Sequence, residues 1–459
     1  MMNRFQMSDI DKTANIHFIG IGGISMSGLA QIVLKDGYGV SGSDWNKSAI
    51  TEKLENMGAD IVYGHGAVNE DGINKASLVV YTAAAKADNP EIVLAKEKGI
   101  RLIDRAEFLG AIMKNYKHAV GVSGTHGKTT TTSMLAHALI GANLDPTISV
   151  GGELDLIGGN IRTGKSDYFV TEACEYTNSF LKFYPTIALI TNVEEDHLDF
   201  FSGIDEIIAS FRQFAYLTKD IGYVVAMGGD KNVQKVLENA DDLNIITYGM
   251  ESKFDYYPEN IVYHAGFPSF DVMKNGEKVN VPGEHNILNS LATVAVCNLM
   301  GVDAETAAKG IETFKGTHRR FEKKGFLNGA VVIDDYAHHP TEIKATLHAA
   351  QKFPHNKVWC VFQPHTFSRT RTLWDEFVGA FDDADELILT HIYAAREKFD
   401  GVTKPENLAE DIKKRGVNAQ YIDKFEDIAE FLKKNVKEDD IVFTMGAGDV
   451  VNINKLIVE

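Results

Sequence analysis

Cysteine, tryptophan and proline are all scarce in this chain of 459 residues, at three, three and ten. Cys174, Cys297 and Cys360 stand far apart in apolar surroundings. That excludes a disulfide framework and a cysteine-ligated zinc site, and points to buried, reduced thiols. Long apolar runs are missing as well. The opening segment M-M-N-R-F-Q-M-S-D-I-D-K has no signal-like stretch, and no later run reaches the roughly twenty residues that span a bilayer. The expectation is a cytoplasmic protein without membrane insertion. Positive charge is in deficit, with 46 Lys and Arg against 64 Asp and Glu, for a net charge of −18. That balance argues against nucleic acid or an anionic membrane as partner. What the chain has is apolar bulk, 44% hydrophobic, in a length too great for one core, so two to four domains are expected.

The stretch around which the rest is organised runs from Val120 to Leu135, V-G-V-S-G-T-H-G-K-T-T-T-T-S-M-L. A short apolar run breaks at Gly124, and the threonines after Lys128 open a helix. Gly124 and Gly127 let the backbone turn and aim its N–H groups inward, with Thr125 and His126 between them. Lys128 adds a mobile point charge, and the hydroxyl of Thr129 or Thr130 suits Mg²⁺. The usual phosphate loop has a glycine five residues before Gly127. Here that residue is Val122, so this is the shorter G-x-x-G-K-T-T form. A nucleoside triphosphate, ATP, is the expected ligand.

Upstream, I-H-F-I-G-I-G-G-I-S-M-S-G carries a strand into Gly20, Gly22 and Gly23, then a helix. This is a Rossmann-like turn built for a diphosphate, with Ser25 where the fingerprint has its third glycine. A second strand ends at Asp44, the distance at which a ribose-binding acid is expected. The fingerprint alone points to NAD(P). His65 and Thr82 end further strands, where ligands of open sheets gather; taken singly, each reads as a solvated loop residue. A polar connector, Asn115 to His118, marks a domain boundary.

Downstream, a strand from Asp167 delivers Glu172 and Glu175, and a strand from Ile187 to Val193 delivers Glu194, Glu195, Asp196 and His197. Carboxylates at strand ends beside a phosphate loop suit a Mg²⁺–triphosphate site. Asn286 and Asn289 share one face of a helix's first turn, where they would cap it, read an adenine edge, or both. Past Gly316 another parallel α/β domain follows. Its strand ends carry Asp334, Asp335, His338 and His339, then His365, Arg369 and Arg371.

The ordered set G-I-G-G-x-x-M-S-G, G-T-H-G-K-T-T-T, E-A-x-E, N-x-x-x-D-H-L-D, G-x-H-N-x-x-N, R-R-F-E, D-D-Y-A-H-H-P and Q-P-H-x-x-x-R-T-R closely resembles the Mur ligase family, in its alanine-adding branch, over residues 16 to 449. The resemblance implies an α/β protein of three domains. Residues 1–117 form a Rossmann-like UDP-sugar domain, 118–316 a central P-loop ATPase domain, and 317–459 a Rossmann-like domain that closes over ATP and binds the amino acid. It implies ATP and Mg²⁺ as co-substrate and metal, and UDP-N-acetylmuramate and L-alanine as partners, with a homodimer among the assemblies it allows.

Gly20, Gly22, Gly23, Ser25, Asp44 and His65 would take the UDP-sugar, moving that loop from NAD to UDP. Gly124, Thr125, His126, Gly127, Lys128, Thr129, Thr130, Asn286, Asn289, Arg320 and Asp335 would hold ATP; Thr129, Glu175 and His197 the metal. Lys128, His338, His339 and Arg369 would act on the reacting groups, with one of the paired histidines as general base. Thr366 stands where many relatives have arginine.

Overall fold

The computed structural model describes residues 5–64, 68–82, 84–198, 200–264, 267–274, 276–281, 287–395 and 397–458; His65 and Asn286 lie outside them. The N-terminal region alternates strand and helix: β1 (Asn15–Ile19), α1 (Ile24–Lys35), β2 (Gly39–Asp44), α2 (Ala49–Asn56), β3 (Asp60–Tyr63), α3 (Glu70–Lys75), β4 (Ala76–Tyr81), α4 (Pro90–Glu97), β5 (Arg101–Asp104) and α5 (Arg105–Met113). All five strands are parallel, in the order β3-β2-β1-β4-β5. The residues of β1 are buried beyond Asn15, as expected for a strand covered on both faces.

Next come β6 (His118–Ser123), α6 (Lys128–Gly141), β7 (Thr147–Leu154), β8 (Gly159–Arg162), β9 (Tyr168–Glu172), β10 (Ile187–Ile190), α7 (Ile204–Tyr216), β11 (Tyr223–Met227), α8 (Lys231–Leu237) and β12 (Ile245–Tyr248). Their order is β12-β11-β10-β6-β9-β7-β8, parallel except for β8. The phosphate-loop strand β6 is therefore central, flanked by the two strands that carry the acids, β9 and β10. A small sheet of β13 (Tyr257–His264), β14 (Phe267–Lys274) and β15 (Glu277–Val281) precedes α9 (Ile287–Leu299) and α10 (Ala304–Glu312).

One apolar cluster joins Phe18, Phe108 and Ile112 of the N-terminal region to Phe169, Phe180, Phe211 and Phe214 of the central one. The polar connector marks a change of sheet while the core continues beneath it. The chain accordingly divides into two compact units, the first running to Phe314 apart from Val262–Ser269 and the second taking up at Lys315. The second unit contains β16 (Glu322–Leu327), β17 (Ala330–Asp335), α11 (Pro340–Ala350), β18 (Val358–Phe362), α12 (Phe367–Thr372), α13 (Trp374–Val378), β19 (Glu386–Leu389), α14 (Pro405–Arg415), β20 (Asn418–Tyr421), α15 (Phe425–Asn435) and β21 (Ile441–Met445). Its sheet runs β16-β17-β21-β18-β19-β20, with β16 antiparallel, and carries an apolar cluster on each face.

Cys297 and Cys360 are buried as expected, but Cys174 is only half-buried, because it lies between two acids at a strand end rather than within a strand. No helix among the described residues is long and apolar enough to cross a membrane.

Candidate functional site

The phosphate loop connects β6 to α6, and each of its parts has a backbone reason. Gly124 sits at φ +134, where a Cβ would overlap the Thr191 hydroxyl, so only glycine fits. Gly127, at φ +86, is the N-cap of α6, and a Cβ there would come 3.1 Å from Asn289 Oδ1. Asn289 thus borders the loop from α9. The residues after β10 hold the loop in place. Asn192 Oδ1 accepts from His126 N–H at 2.8 Å, Asn192 Nδ2 donates to the His126 carbonyl at 2.9 Å, and Thr191 Oγ1 donates to it at 2.7 Å. Thr125 is fixed by its own hydroxyl, which accepts from Glu194 N–H at 2.9 Å, and His126 Nε2 lies 3.5 Å from a Glu194 carboxylate oxygen. Sequence reading assigned Thr191 and Asn192 to a strand. The strand stops at Ile190, and these two polar residues become the clamp on the loop. Their position directly after four buried apolar residues was the available signal.

Lys128 bends back over the loop. Its ammonium donates to the Gly124 and Thr125 carbonyls and lies 3.1 Å from Glu175 Oε2, a half-buried lysine on a buried carboxylate. Burial alone would lower its pKa, but the Glu175 carboxylate outweighs that and holds the lysine above its usual value. His197 Nε2 lies 3.9 Å from Glu175 Oε1, and its ring stands 4.6 Å from that of Tyr176. Three residues here, Thr177, Asn178 and His197, adopt left-handed backbone at φ near +55, a concentration of strain typical of sites where geometry matters more than local stability. Neither Tyr176 nor this strain was legible from motif spacing.

Thr129 and Thr130 fall in the first turn of α6, half-exposed. The Glu175 carboxylate and the His197 imidazole approach each other here, and Thr129 carries its hydroxyl in the first turn of α6; two oxygen donors and one nitrogen are a set whose chemistry fits a hard divalent cation. Glu172 is engaged elsewhere, accepting from Gly151 N–H at 2.6 Å.

In the N-terminal glycine loop, Gly20 takes φ +77 and Gly23 is the N-cap of α1. Asp44 Oδ2 accepts from Gly22 N–H at 2.7 Å, so this acid closes on the loop itself. Ser25 Oγ accepts from Arg105 Nη1 at 3.0 Å. Thr82 abuts Gly20, its methyl 2.8 Å from where a Cβ would be.

In the second unit, Asp335 is buried and accepts from Phe321 N–H at 2.7 Å and Ala337 N–H at 2.8 Å. Burial pushes its carboxyl up to about 6, against the opposing pull of Arg320 and those two N–H groups. Arg320 lies over the Tyr336 ring at 5.3 Å and reaches Glu342 at 3.7 Å. Its neighbour Arg319 is structural: it pairs with buried Asp334 and donates to the Gly446 and Gly448 carbonyls.

The paired histidines do different jobs. His339 is the N-cap of α11, its Nδ1 accepting from Thr341 N–H at 3.3 Å, which leaves the proton on Nε2. His338 Nδ1 donates to the Tyr336 carbonyl at 3.0 Å, which leaves Nε2 as its lone-pair nitrogen. Arg369 Nη1 donates to His365 Nδ1 at 3.3 Å, and the His365 ring stacks on Tyr393 at 5.6 Å. Burial, with Arg369 adding repulsion, holds the His365 pKa below its usual value. The sequence motif Q-P-H-x-x-x-R-T-R contains His365, but no spacing in it points to the contact with Tyr393. Thr366, at φ +64, caps α12 by accepting from Arg369 N–H.

Known proteins place this arrangement. Residues 15–117 match the Mur ligase family catalytic domain, 122–297 the Mur ligase middle domain and 319–448 the Mur ligase glutamate ligase domain. The UDP-N-acetylmuramate–L-alanine ligase of Clostridium botulinum strain Langeland is 53% identical over 454 residues, covering 98% of each chain. The enzyme of the same name from Clostridium acetobutylicum is 51% identical over 455 residues, with the same coverage. Among solved structures, UDP-N-acetylmuramate-alanine ligase from Thermotoga maritima superposes with a TM-score of 0.76 at 30% identity, covering 96% of this chain and 97% of that one. A murein peptide ligase from Psychrobacter arcticus follows at 0.67 and 25%, with the same coverage. With all three family domains in order and relatives matched along nearly its whole length, this chain belongs to the Mur ligase family.

Proposed function

We infer that the chain is an ATP-dependent ligase that joins L-alanine to the lactyl carboxylate of UDP-N-acetylmuramate. The products are UDP-N-acetylmuramoyl-L-alanine, ADP and phosphate, in the synthesis of peptidoglycan precursors. One observation carries this: 53% identity over 98% of the chain to enzymes of that name. The reading divides the chain at 117/118 and 316/317, and places the enzyme in the cytoplasm, where both nucleotides occur. Self-association as a homodimer belongs to it too, and sedimentation would check that.

In this reading the backbone N–H groups of Gly124 to Thr130 cradle the triphosphate, with Asn289 and Asn286 at the adenine and Asp335 at the ribose. Lys128 turns from Glu175 to the γ-phosphate, and Arg320 faces the same group. Thr129, Glu175 and His197 would hold Mg²⁺, which when bound offsets phosphate charge. The carboxylate of the sugar attacks the γ-phosphorus, the P–O bond to ADP breaks, and an acyl phosphate forms. Positioning and fixed charge supply most of the acceleration in such transfers. The alanine amine, oriented by Arg369, then attacks the acyl carbon and phosphate leaves. His338, whose Nε2 carries a lone pair, takes the ammonium proton. Gly20, Gly22, Gly23, Ser25, Asp44 and His65 hold the UDP moiety.

The test is phosphate release from ATP with UDP-N-acetylmuramate, scanned across amino acids while NADH absorbance is followed in parallel. Release that depends on L-alanine, with no absorbance change, is expected. Release driven instead by a peptide, or a change in NADH, would overturn the reading.

A further inference from the structure

β21 ends in M-G-A-G-D, Met445 to Asp449, a glycine-rich turn at the carboxyl end of a parallel strand. Turns of that kind hold a phosphate in dinucleotide-binding sheets, yet no step of the ligase reading uses this one. A side chain of the protein fills it. Gln363, the first residue beyond β18, is fully buried, and both N–H groups and the oxygen of its amide are committed. Oε1 accepts from Val450 N–H at 3.1 Å, while Nε2 donates to Asp449 Oδ1 at 2.7 Å and to His391 Nε2 at 3.2 Å. His391 Nε2 accepts because Nδ1 of that ring donates to the Asp423 carbonyl at 3.1 Å. Gly446, at φ +143, and Gly448 leave no room for a Cβ against Gln363. One amide therefore ties together the loops that follow β18, β19 and β21.

Those loops support both arms that act on substrate in the ligase reading. On one side, Arg319 donates to the Gly446 and Gly448 carbonyls and lies with Arg320 over the Tyr336 ring. Arg319, at φ +61, and Phe321, at φ +49, put left-handed backbone on both sides of Arg320, so its direction depends on the bonds that hold its neighbours. The Arg319 bonds run to the very turn that Gln363 fills. On the other side, the loop that begins at Gln363 contains His365 and leads into Arg369. Thr366 N–H donates to the Tyr393 carbonyl and Tyr393 N–H to the Pro364 carbonyl, each at 2.9 Å. Tyr393 in turn closes on Gly448, where a Cβ would come 2.7 Å from its ring.

We propose that Gln363 is a positioning residue, which locks the arginine facing the γ-phosphate and the arginine orienting L-alanine into one fixed register. The proposal rests on the ligase reading above. A buried polar network in which every donor is satisfied specifies one arrangement, and a misplacement of about 1 Å at reacting atoms costs up to about 10²-fold in rate.

Steady-state kinetics of the full-length protein with each substrate varied in turn test it. Gln363→Met, close in shape but without the amide, should lower kcat roughly 10- to 100-fold and raise the KM for L-alanine about 10-fold. The KM for UDP-N-acetylmuramate should stay at the wild-type value. Asp449→Ala breaks the same link from its other end and should show the same pattern more weakly; it supplies the reading if the Gln363 variant does not fold. The double variant should be no worse than Gln363→Met alone, as expected of residues that act as one unit. A lower kcat with every KM unchanged is what a smaller folded fraction gives, and it would overturn the proposal. Additive losses in the double variant, or wild-type kinetics in both single variants, would do the same. A wild-type protein that releases no phosphate with L-alanine would instead bring down the ligase reading itself, a distinct result.

Discussion

At the scale of single residues, burial and hydrogen bonding decide what each group can do. Asp335 is the clearest case. Its carboxyl sits at about 6 in the folded protein against 3.8 for the free group, so the folded state holds this proton more tightly than the unfolded chain does. The stability Asp335 contributes is therefore greatest below pH 4 and is lost as pH rises through 6, by on the order of 3 kcal/mol at most. The unfolding free energy of the wild type relative to Asp335→Asn should accordingly fall between pH 4 and pH 7 in urea titrations. A constant difference would show that burial does not raise this carboxyl.

The paired histidines separate in the same way. His338→Ala should lower kcat by about 10²-fold or more while leaving the melting temperature nearly unchanged. His339→Ala removes a helix cap and should cost about 1 kcal/mol of stability. The sequence could offer the pair as candidates but not divide them, because the tautomer of each follows from main-chain atoms that only the folded loop brings close. Asp44 is similar: its spacing was legible, whereas its bond to Gly22 N–H was not.

At the scale of elements, the legible pieces were those in which an apolar run ends in glycine or charge. β1, β6, β9, β17 and β18 each bury an apolar run and deliver the motif expected at its end. What escaped was polar or carried no motif: β8, with G-N-I-R; β16, with E-K-K-G-F-L at a sheet edge; and the small sheet of β13 to β15. Edge strands of this kind lack the two-sided burial that makes a strand readable. The phosphate loop joins both levels. Gly124→Ala would force a side chain onto left-handed backbone and into Thr191, so the loop should lose its shape. Loss of ATP-dependent phosphate release with a fall in stability of about 1–3 kcal/mol is expected, measured by melting and turnover together. Retained turnover would mean that the loop tolerates the added atom.

Across the whole molecule, composition announced several domains but not which of them share a core. The N-terminal and central sheets are joined through one apolar cluster, and α5 packs so closely that Gly110 meets the Lys182 backbone carbonyl. Lys182 in turn pairs with Asp104. Gly110→Val should therefore drive the two sheets apart, costing about 1–3 kcal/mol and lowering the first unit's calorimetric transition while leaving the second unit's in place. A single shared transition that shifts as a whole would contradict this. The signal was one glycine inside a helix, which sequence reading passes over as a mild flaw in propensity.

The ion pair of Lys128 and Glu175 finally imposes a rule of charge conservation on whatever enters the loop. While the two hold each other, neither needs a counter-ion. A phosphate group that draws the ammonium away strands a carboxylate that is only 3% exposed, and only another cation can settle that debt. Nucleotide and divalent cation should therefore bind with positive heterotropic coupling, each raising the other's affinity by the same factor. Glu175→Gln should break the linkage, leaving ATP affinity nearly indifferent to added Mg²⁺.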